Sequence, residues 1–300
     1  MTLLRLYSSP ATLLVCTTFM WGTNAIAGQL AVGEISPMTL VFVRWLLVAT
    51  TLTALFHKDL IKAWPLLQPS LIGLTIAGFC GLTAFNVLFY IASYYTAGAN
   101  IGIIQGVMPV MVMIGAYLAF GDRITVIQGA GVAIAIIGVI VLAGEGNLAG
   151  LAALKFNIGD LIMFANCALY AGYTVALRKR PPIRGIVLFT FFSIVAFVTS
   201  IPMFVWELLQ PAYVAPTTKG WAVSVFIAVA PSFIAQVFFM RAVDLVGPGK
   251  AGVYVNLVPF FATGLAVIIL GETLALYHGI ALLLVFAGIA LTQKGQPKAS

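Results

Sequence analysis

Eight long stretches of the sequence contain no Asp, Glu, Lys or Arg. The longest covers 59 residues, from Ala63 to Gly121, and the others are between 17 and 28 residues long. A helix needs about 20 apolar residues to cross the hydrocarbon of a bilayer. Each stretch therefore has the length of one membrane crossing, and the longest has room for two.

Composition excludes the soluble classes of protein. Only 8% of the 300 residues are charged, 62% are hydrophobic, and the mean hydropathy is +1.11. A soluble domain carries about 25% charged residues, because most of its surface must be polar. A soluble enzyme, a nucleic-acid-binding protein and a disordered protein are therefore excluded, and we expect an integral membrane protein.

The spacing of the charges predicts an all-α integral membrane protein with ten transmembrane helices. Helices are expected because each crossing must satisfy its own backbone hydrogen bonds in lipid. The longest stretch holds two crossings with a turn near Tyr94–Gly98, and Arg44 lies within a further apolar segment that we also interpret as a crossing. The predicted spans are 11–31, 37–56, 71–93, 98–119, 126–144, 158–177, 185–206, 220–240, 249–269 and 276–293.

Basic residues are divided unequally between the two sides of this arrangement. Twelve of the fifteen Lys and Arg residues fall on the side that holds both termini, and only Lys155 and Lys219 fall in the opposite loops. Loops rich in Lys and Arg stay in the cytoplasm, so the N and C termini are predicted to be cytoplasmic. The first apolar segment is long enough to be a retained span rather than a signal peptide, and the three cysteines lie inside spans rather than in a disulfide framework.

The sequence repeats itself at an offset of 150 residues. Asn86–Gly144 aligns with Gln236–Lys294 without a gap, and the identical positions include one pair of prolines and four pairs of glycines. We therefore predict two five-helix repeats, 1–150 and 151–300. Because five is odd, the second repeat crosses the membrane in the opposite sense. Inverted repeats are typical of secondary transporters, which hold their substrate near the midplane between the repeats.

Several residues of the predicted spans form a recognisable set: Trp21-Gly22, Arg44, Pro109, Pro259, Gly121-Asp122 and Gly271-Glu272. Together with the ten spans and the repeat, they resemble one family, the EamA family of the drug/metabolite transporter superfamily. The resemblance covers essentially the whole chain and is greatest to bacterial exporters of aromatic and other amino acids. It implies a multi-pass carrier of the bacterial inner membrane that moves solutes out of the cytoplasm. Two features depart from symmetry, because Tyr170-Ala171 stands where a second Trp-Gly pair is expected and Thr190 carries no charge to match Arg44.

Two prolines inside predicted spans indicate where a substrate could bind. A proline in a helix interior removes one hydrogen bond and frees the carbonyl four residues earlier. For kinks at Pro109 and Pro259 these are the carbonyls of Gln105 and Val255, close to the side chains of Gln105 and Asn256. Cavity lining and hydrogen bonding to a neighbouring helix are both open for these amides.

Other polar and aromatic residues inside spans are expected to point inward, because amides are costly in lipid. Asn86 and Gln236 occupy equivalent positions of the repeat, and Trp21 and Tyr170 lie near mid-membrane, where their rings suit a planar organic solute. For the amides, cavity lining and interhelix bonding again remain open. Four tryptophans are assigned instead to the interfacial belt, namely Trp45, Trp64, Trp206 and Trp221. The predicted substrate-binding residues are Trp21, Asn24, Asn86, Tyr90, Gln105, Asn166, Tyr170, Tyr173, Gln236, Tyr254 and Asn256.

Charge narrows the class of substrate. A cation–proton antiporter requires an acidic residue deep in the membrane, and none lies deep in a predicted span. A phosphorylated solute requires several basic residues along its path, and Arg44 is the single base clearly inside a span. We expect export of a small neutral or zwitterionic solute, an aromatic or other amino acid, by alternating access. Exporters of other amphiphilic metabolites or drugs, and a channel, are the alternatives.

The remaining expectations are absences. No pattern of residues for catalysis is present, so an enzyme is not expected, and neither is a cofactor, a metal ion or a nucleic-acid partner. With no acid or histidine predicted at depth, we expect uniport or weakly coupled transport. The partners are the small-molecule substrate and the lipid bilayer, and the protein is expected to be a monomer or a weak homodimer.

Overall fold

The computed structural model of the protein describes residues 9–144 and 157–294. In these two ranges all regular structure is helical. Two π-helical segments, Phe79–Ala84 and Ala228–Ile234, and two 3-10 turns, Gln68–Ser70 and Leu177–Lys179, adjoin the α-helices. The α-helices of the described chain are α1 (Pro10–Ala31), α2 (Pro37–Leu67), α3 (Leu71–Gly78), α4 (Phe85–Ala92), α5 (Gly98–Gln105), α6 (Met108–Phe120), α7 (Val126–Ala143), α8 (Ile158–Ala176), α9 (Gly185–Leu208), α10 (Thr218–Ile227), α11 (Ala235–Val246), α12 (Pro248–Tyr254), α13 (Leu257–Leu270) and α14 (Leu276–Lys294).

Eight helical segments of the described chain are long and apolar enough to cross a membrane, where the sequence predicts ten. One difference is α1, which is too polar to count because residues such as Asn24 and Gln29 interrupt its apolar sequence. The other is that Pro37–Ala92 is one continuous helical run of 56 residues. A multi-pass, all-helical membrane protein is confirmed, whereas the number ten and the side of the termini remain predictions.

The run from α2 to α4 reverses direction on itself. Arg44 Nη1 donates to Asn86 Oδ1 at 2.6 Å and to Tyr90 Oη at 2.7 Å. Residues so far apart in sequence would lie about 60–70 Å apart along a straight helix. The chain therefore turns back between them, in the region of the 3-10 turn Gln68–Ser70, and α2 packs beside α4.

Backbone irregularities recur at the 150-residue offset of the sequence repeat. The π-helical segments begin at Phe79 and Ala228, one residue from exact equivalence. Helices α6 and α13 both end at a glycine in the left-handed conformation, Gly121 with φ 69° and Gly271 with φ 67°. Only glycine adopts this conformation without strain, which explains why both copies keep it. The predicted boundary at 150/151 lies outside the described residues.

Helices α7 and α14 form a closely packed pair at the side of the bundle. A Cβ added at Gly131 would lie 2.6 Å from the carbonyl oxygen of Gly288, and one added at Gly288 would lie 2.5 Å from that of Gly131. Backbones approach this closely in membrane proteins where small residues face each other. The two helices are therefore held together by glycine-mediated packing.

This contact predicts the effect of adding one methyl group. Gly131→Ala is expected to lower the melting temperature of the detergent-solubilised protein by about 5 °C, because the Cβ meets backbone that cannot move aside. Gly129 lies on the same helix with nothing within 4 Å of its added Cβ, so Gly129→Ala is the matched control and should cause no loss. Equal losses in both variants would contradict the packing described.

Candidate functional site

A cavity of about 140 Å³ lies in the middle of the bundle and is bordered by helices from both sequence repeats. Seven of the predicted substrate-binding residues line it, together with both predicted kink prolines. Neither α7 nor α14 contributes a lining residue, which agrees with their position at the side. The predicted residues on the cavity wall are Trp21, Asn24, Asn86, Gln105, Tyr170, Gln236 and Asn256, with Pro109 and Pro259.

The helices are interrupted just before the two prolines. Pro109 lies in the first turn of α6, and Gln105 ends the preceding helix. In the other repeat Val258 N donates to the Val255 carbonyl at 3.0 Å, so the carbonyl predicted to be freed is occupied. Each predicted kink therefore falls beside a two-residue interruption of the helix, at 106–107 and at 255–256. Proline is tolerated in a first turn because the amide it lacks has no partner there.

The amide of Asn256 sits at the second of these breaks. It is the residue just before α13, and its side chain lines the cavity. Its Oδ1 is buried and has no hydrogen-bond partner in the described chain. Leaving a buried polar atom unpaired is costly, so a ligand that donates a hydrogen bond to this oxygen would be stabilised.

The π-helical segments supply part of the cavity wall and hold Trp21 in place. Trp21 Nε1 donates to the carbonyl oxygen of Pro231 at 3.1 Å, and its ring packs on Phe239 with 5.2 Å between centroids. Gly81 in one π-helical segment and Ser232 in the other also line the cavity. π-Helical turns inside α-helices are often found at functional sites, and here both copies border the same cavity.

Arg44 brings a positive charge to the cavity wall. Its side chain is buried, with Nη1 donating to Asn86 Oδ1 at 2.6 Å, to Tyr90 Oη at 2.7 Å and to Asn24 Oδ1 at 3.4 Å. The guanidinium carbon lies 5.3 Å from the ring centroid of Trp45. All four neighbours are uncharged, so the described chain offers this cation hydrogen bonds and an aromatic face but no counter-charge.

Four predicted residues do not reach the cavity. Tyr90 lies behind Arg44 as its hydrogen-bond partner, and Tyr254 packs beside Leu13 and Leu14. Asn166 is fully buried, with Nδ2 3.9 Å from the sulfur of Met163 and no partner for Oδ1. The assignment of these residues to the cavity wall is corrected accordingly.

Tyr173, the fourth of these residues, packs against a glycine. Its ring occupies the space that a Cβ at Gly81 would need, and it makes an edge contact with Phe192 at 5.6 Å between centroids. Tyr173 is three residues after Tyr170, which does line the cavity, and the two rings lie 5.6 Å apart. It therefore supports the cavity wall from behind.

The sequence reasoning missed other residues of the wall. Trp45, assigned to the interfacial belt, is only 1% exposed and lines the cavity, with its ring 6.4 Å from that of Phe189. Its position next to Arg44 was the one available signal, since a charge buried in lipid attracts aromatic rings. The other three belt tryptophans, Trp64, Trp206 and Trp221, are between 43% and 56% exposed.

The acidic residues of the described chain stay away from the cavity but are not all exposed. Asp160 and Glu207 are buried at helix ends, where Glu207 accepts hydrogen bonds from the amides of Met38 and Thr39. His278 is also buried, and its Nδ1 accepts from the amide of Ala275. Glu207 and His278 therefore cap helices, whereas Asp160 accepts from the side chains of Thr96 and Asn100. Of the residues that line the cavity, Arg44 alone carries a charge.

Comparison with known proteins identifies the family. Residues 8–144 match the model of the EamA-like transporter family, and residues 157–293 match it a second time. The chain belongs to this family. It is 25% identical over 284 residues to the uncharacterized transporter YetK of Bacillus subtilis, and the alignment covers 93% of this chain and 85% of YetK. An uncharacterized transporter of Archaeoglobus fulgidus is 25% identical over 291 residues, 95% of this chain and 97% of that protein.

A solved crystal structure has the same fold. It matches this EamA-family chain with a TM-score of 0.66 at 21% sequence identity, over 95% of this chain and 97% of the other. The family match and the relatives named as transporters identify the protein as a multi-pass membrane transporter and not an enzyme. In the part of the chain described, no group of three or more His, Cys, Asp or Glu side chains is placed to hold a metal ion.

The position of the cavity can be tested by cysteine labelling. In a variant whose Cys16, Cys80 and Cys167 are replaced by serine, Gln236→Cys should react with a hydrophilic maleimide, because this position lines the cavity. Asn166→Cys should react at least about tenfold more slowly, because its position is closed to water and a thiol must ionise to react. Equal labelling rates at the two positions would contradict the assignment of the cavity wall.

Proposed function

We propose that this EamA-family transporter exports small amphiphilic metabolites, aromatic and other amino acids above all, from the bacterial cytoplasm by alternating access. The observation that carries the proposal is the central cavity, to which both repeats contribute a broken helix and a π-helical turn. Sites of this kind near the midplane are a property of secondary transporters built from inverted repeats.

The proposal includes ten crossings with cytoplasmic termini in the inner membrane. The reversal between Arg44 and Tyr90 supports two crossings within the 56-residue helical run. Helix α1 supports a further crossing, because it is 22 residues long and packs along α13 and α11. In this arrangement five crossings precede the boundary at 150/151 and five follow it, so the two repeats run in opposite senses.

Hydrogen bonds that join the two repeats are concentrated at the proposed outer end. Glu207 accepts from Met38 N and Thr39 N, and Glu272 accepts from the amides of Gly98 and Ala99 at 2.8 and 3.0 Å. Charge-assisted bonds to amides at a helix start are stronger than neutral ones. These contacts hold the outer ends of the repeats together.

An exposed cluster around Glu34 adds to this outer contact. Glu34 accepts from Thr217 Oγ1 at 2.5 Å and from Lys219 Nζ at 3.3 Å, and these two hydrogen bonds hold the pKa of its carboxyl below the usual range.

At the proposed inner end the repeats are joined by the exposed ion pairs Arg178–Asp122 and Arg184–Asp59. Exposed pairs contribute little, but buried apolar side chains also pack together at this end. They are Leu13, Leu14, Ala242 and Ala251. The charge-assisted bonds to amides are therefore what distinguishes the outer end. We infer that the structure corresponds to a state closed on the outside.

The cavity wall favours a small solute with an apolar part. The rings of Trp21 and Tyr170 offer flat apolar faces, and the amides of Gln105, Gln236 and Asn256 offer hydrogen bonds. A volume of about 140 Å³ is below the 300–1,000 Å³ of pockets for drug-sized ligands. Among the candidates, a small metabolite therefore fits better than a drug. No lining residue is an acid or a histidine, which supports uniport driven by the substrate gradient.

Counterflow in proteoliposomes tests this function. Vesicles preloaded with unlabelled phenylalanine should take up labelled phenylalanine, and Trp21→Ala should reduce the initial rate at least about tenfold, since it removes a large apolar face of the site. Trp221→Ala is the matched control, because Trp221 is half exposed on the outside of the bundle. It should exchange like the wild type.

Other outcomes would contradict the proposal. Single-channel currents without saturable exchange would indicate a channel. Exchange of cationic dyes alone would overturn the substrate class. Net uphill movement of substrate after a pH jump, with equal substrate on both sides, would contradict uniport, because it requires a coupled proton.

A further inference from the structure

The guanidinium of Arg44 is a buried cation whose protein partners do not neutralise it. Its side chain is 7% exposed, and all of its hydrogen bonds in the described chain run through Nη1. A charged group inside a membrane protein is costly and is normally paired or turned to a water-filled cavity. Here the partners are two amides and a phenol, so the positive charge remains available to an anion.

The unused donors of Arg44 are arranged for a carboxylate. Nε is buried without a partner, whereas Nη2 makes no hydrogen bond and is not among the buried unpaired atoms. Since Arg44 lines the cavity, Nη2 is the donor that the cavity offers to a ligand. Nε lies on the same edge of the planar guanidinium but is buried, so Nη2 is the donor that meets a carboxylate oxygen, in a charge-assisted hydrogen bond.

The three protein partners hold the guanidinium in this orientation. Asn86 Nδ2 donates to the carbonyl of Leu82 in the π-helical segment, which directs its Oδ1 to Arg44. Tyr90 Oη donates to Asn24 Oδ1 at 2.9 Å and accepts from Arg44. Each donor and acceptor therefore has a fixed role, and the free edge of Arg44 stays turned away from them.

We propose that Arg44 binds the carboxylate of the transported solute, so that the substrates are aromatic or other apolar carboxylates. This inference rests on the proposed export function and narrows its substrate class. The wall offers no acid to an ammonium group, but uncharged amides and hydroxyls, among them those of Gln236, Asn256 and Ser232. The carboxylate of an amino acid is therefore required for binding, and its amino group is dispensable.

A set of four matched ligands tests the inference on the wild-type protein. Phenylalanine and 3-phenylpropionate carry the carboxylate, 3-phenylpropionamide replaces it by a neutral group of the same shape, and phenethylamine carries only the ammonium. Binding to the detergent-solubilised protein is measured by calorimetry, and exchange is measured by counterflow. The two carboxylates should bind about tenfold or more tightly than the amide, because they form charge-assisted hydrogen bonds, and the amine should not bind.

Two variants of Arg44 and one control complete the experiment. Arg44→Gln should remove the preference for 3-phenylpropionate over its amide, and Arg44→Lys should retain part of it, because the charge remains without the planar fork. Arg184→Gln removes a cation that is paired with Asp59 at the exposed end of the bundle, and it should leave the preference unchanged.

Each result separates the inference from the function on which it rests. If the carboxylates bind through Arg44 but are not exchanged, the inference holds and the proposed export function fails. If wild-type protein binds and exchanges the amide as well as the carboxylate, the function holds and the inference fails. Binding of none of the four ligands to the wild-type protein would overturn the inference, whatever the variants do.

Discussion

The arrangement of the first repeat depends on the hydrogen bonds of Arg44, a charged residue inside a bundle that is embedded in lipid. A guanidinium at this depth needs acceptors for its N–H groups and contact with water or with a ligand. Asn24 comes from α1, and Asn86 and Tyr90 come from α4. Bringing them to one nitrogen requires the chain to reverse after α2, and it places the start of α4 beside the cavity.

The two repeats share a backbone plan but differ in side-chain chemistry. Both have a π-helical turn, a broken helix at a proline and a glycine cap. By contrast, Thr190, which lies near the position equivalent to Arg44, is fully buried and donates to Ile186 O of its own helix at 2.8 Å. The shared plan is what the proposed alternating access requires, whereas the unequal side chains place the charge of Arg44 on one side of the cavity.

Much of the fold could be predicted from where charges are missing. The spacing of charges located the segments that become α7, α9 and α14, because no other property separates lipid-facing helices so sharply. The repeat offset paired Gly121 with Gly271, and both glycines end a helix. By contrast, Pro109 and Pro259 were predicted as kinks inside spans and lie in the first turns of α6 and α13. The π-helical turns could not be predicted, since they depend on tertiary packing and leave no pattern in a uniformly apolar segment.

The site was harder to predict than the fold, because an apolar helix does not reveal which of its faces points inward. Tyr170 and Tyr173 have similar spacing and chemistry, yet one lines the cavity and the other packs on Gly81. Trp45 was missed for a related reason, because its position next to Arg44 does not show by itself whether its ring faces lipid or the cavity. Only contacts between helices settle such cases.

A structure of the protein with a bound bromophenyl carboxylate tests the account most directly. The anomalous signal of bromine fixes the ring, and the density fixes the carboxylate. The account predicts the ring between Trp21 and Tyr170 and the carboxylate within about 3 Å of Arg44 Nη2. A carboxylate bound away from Arg44, or a ligand outside the central cavity, would contradict it.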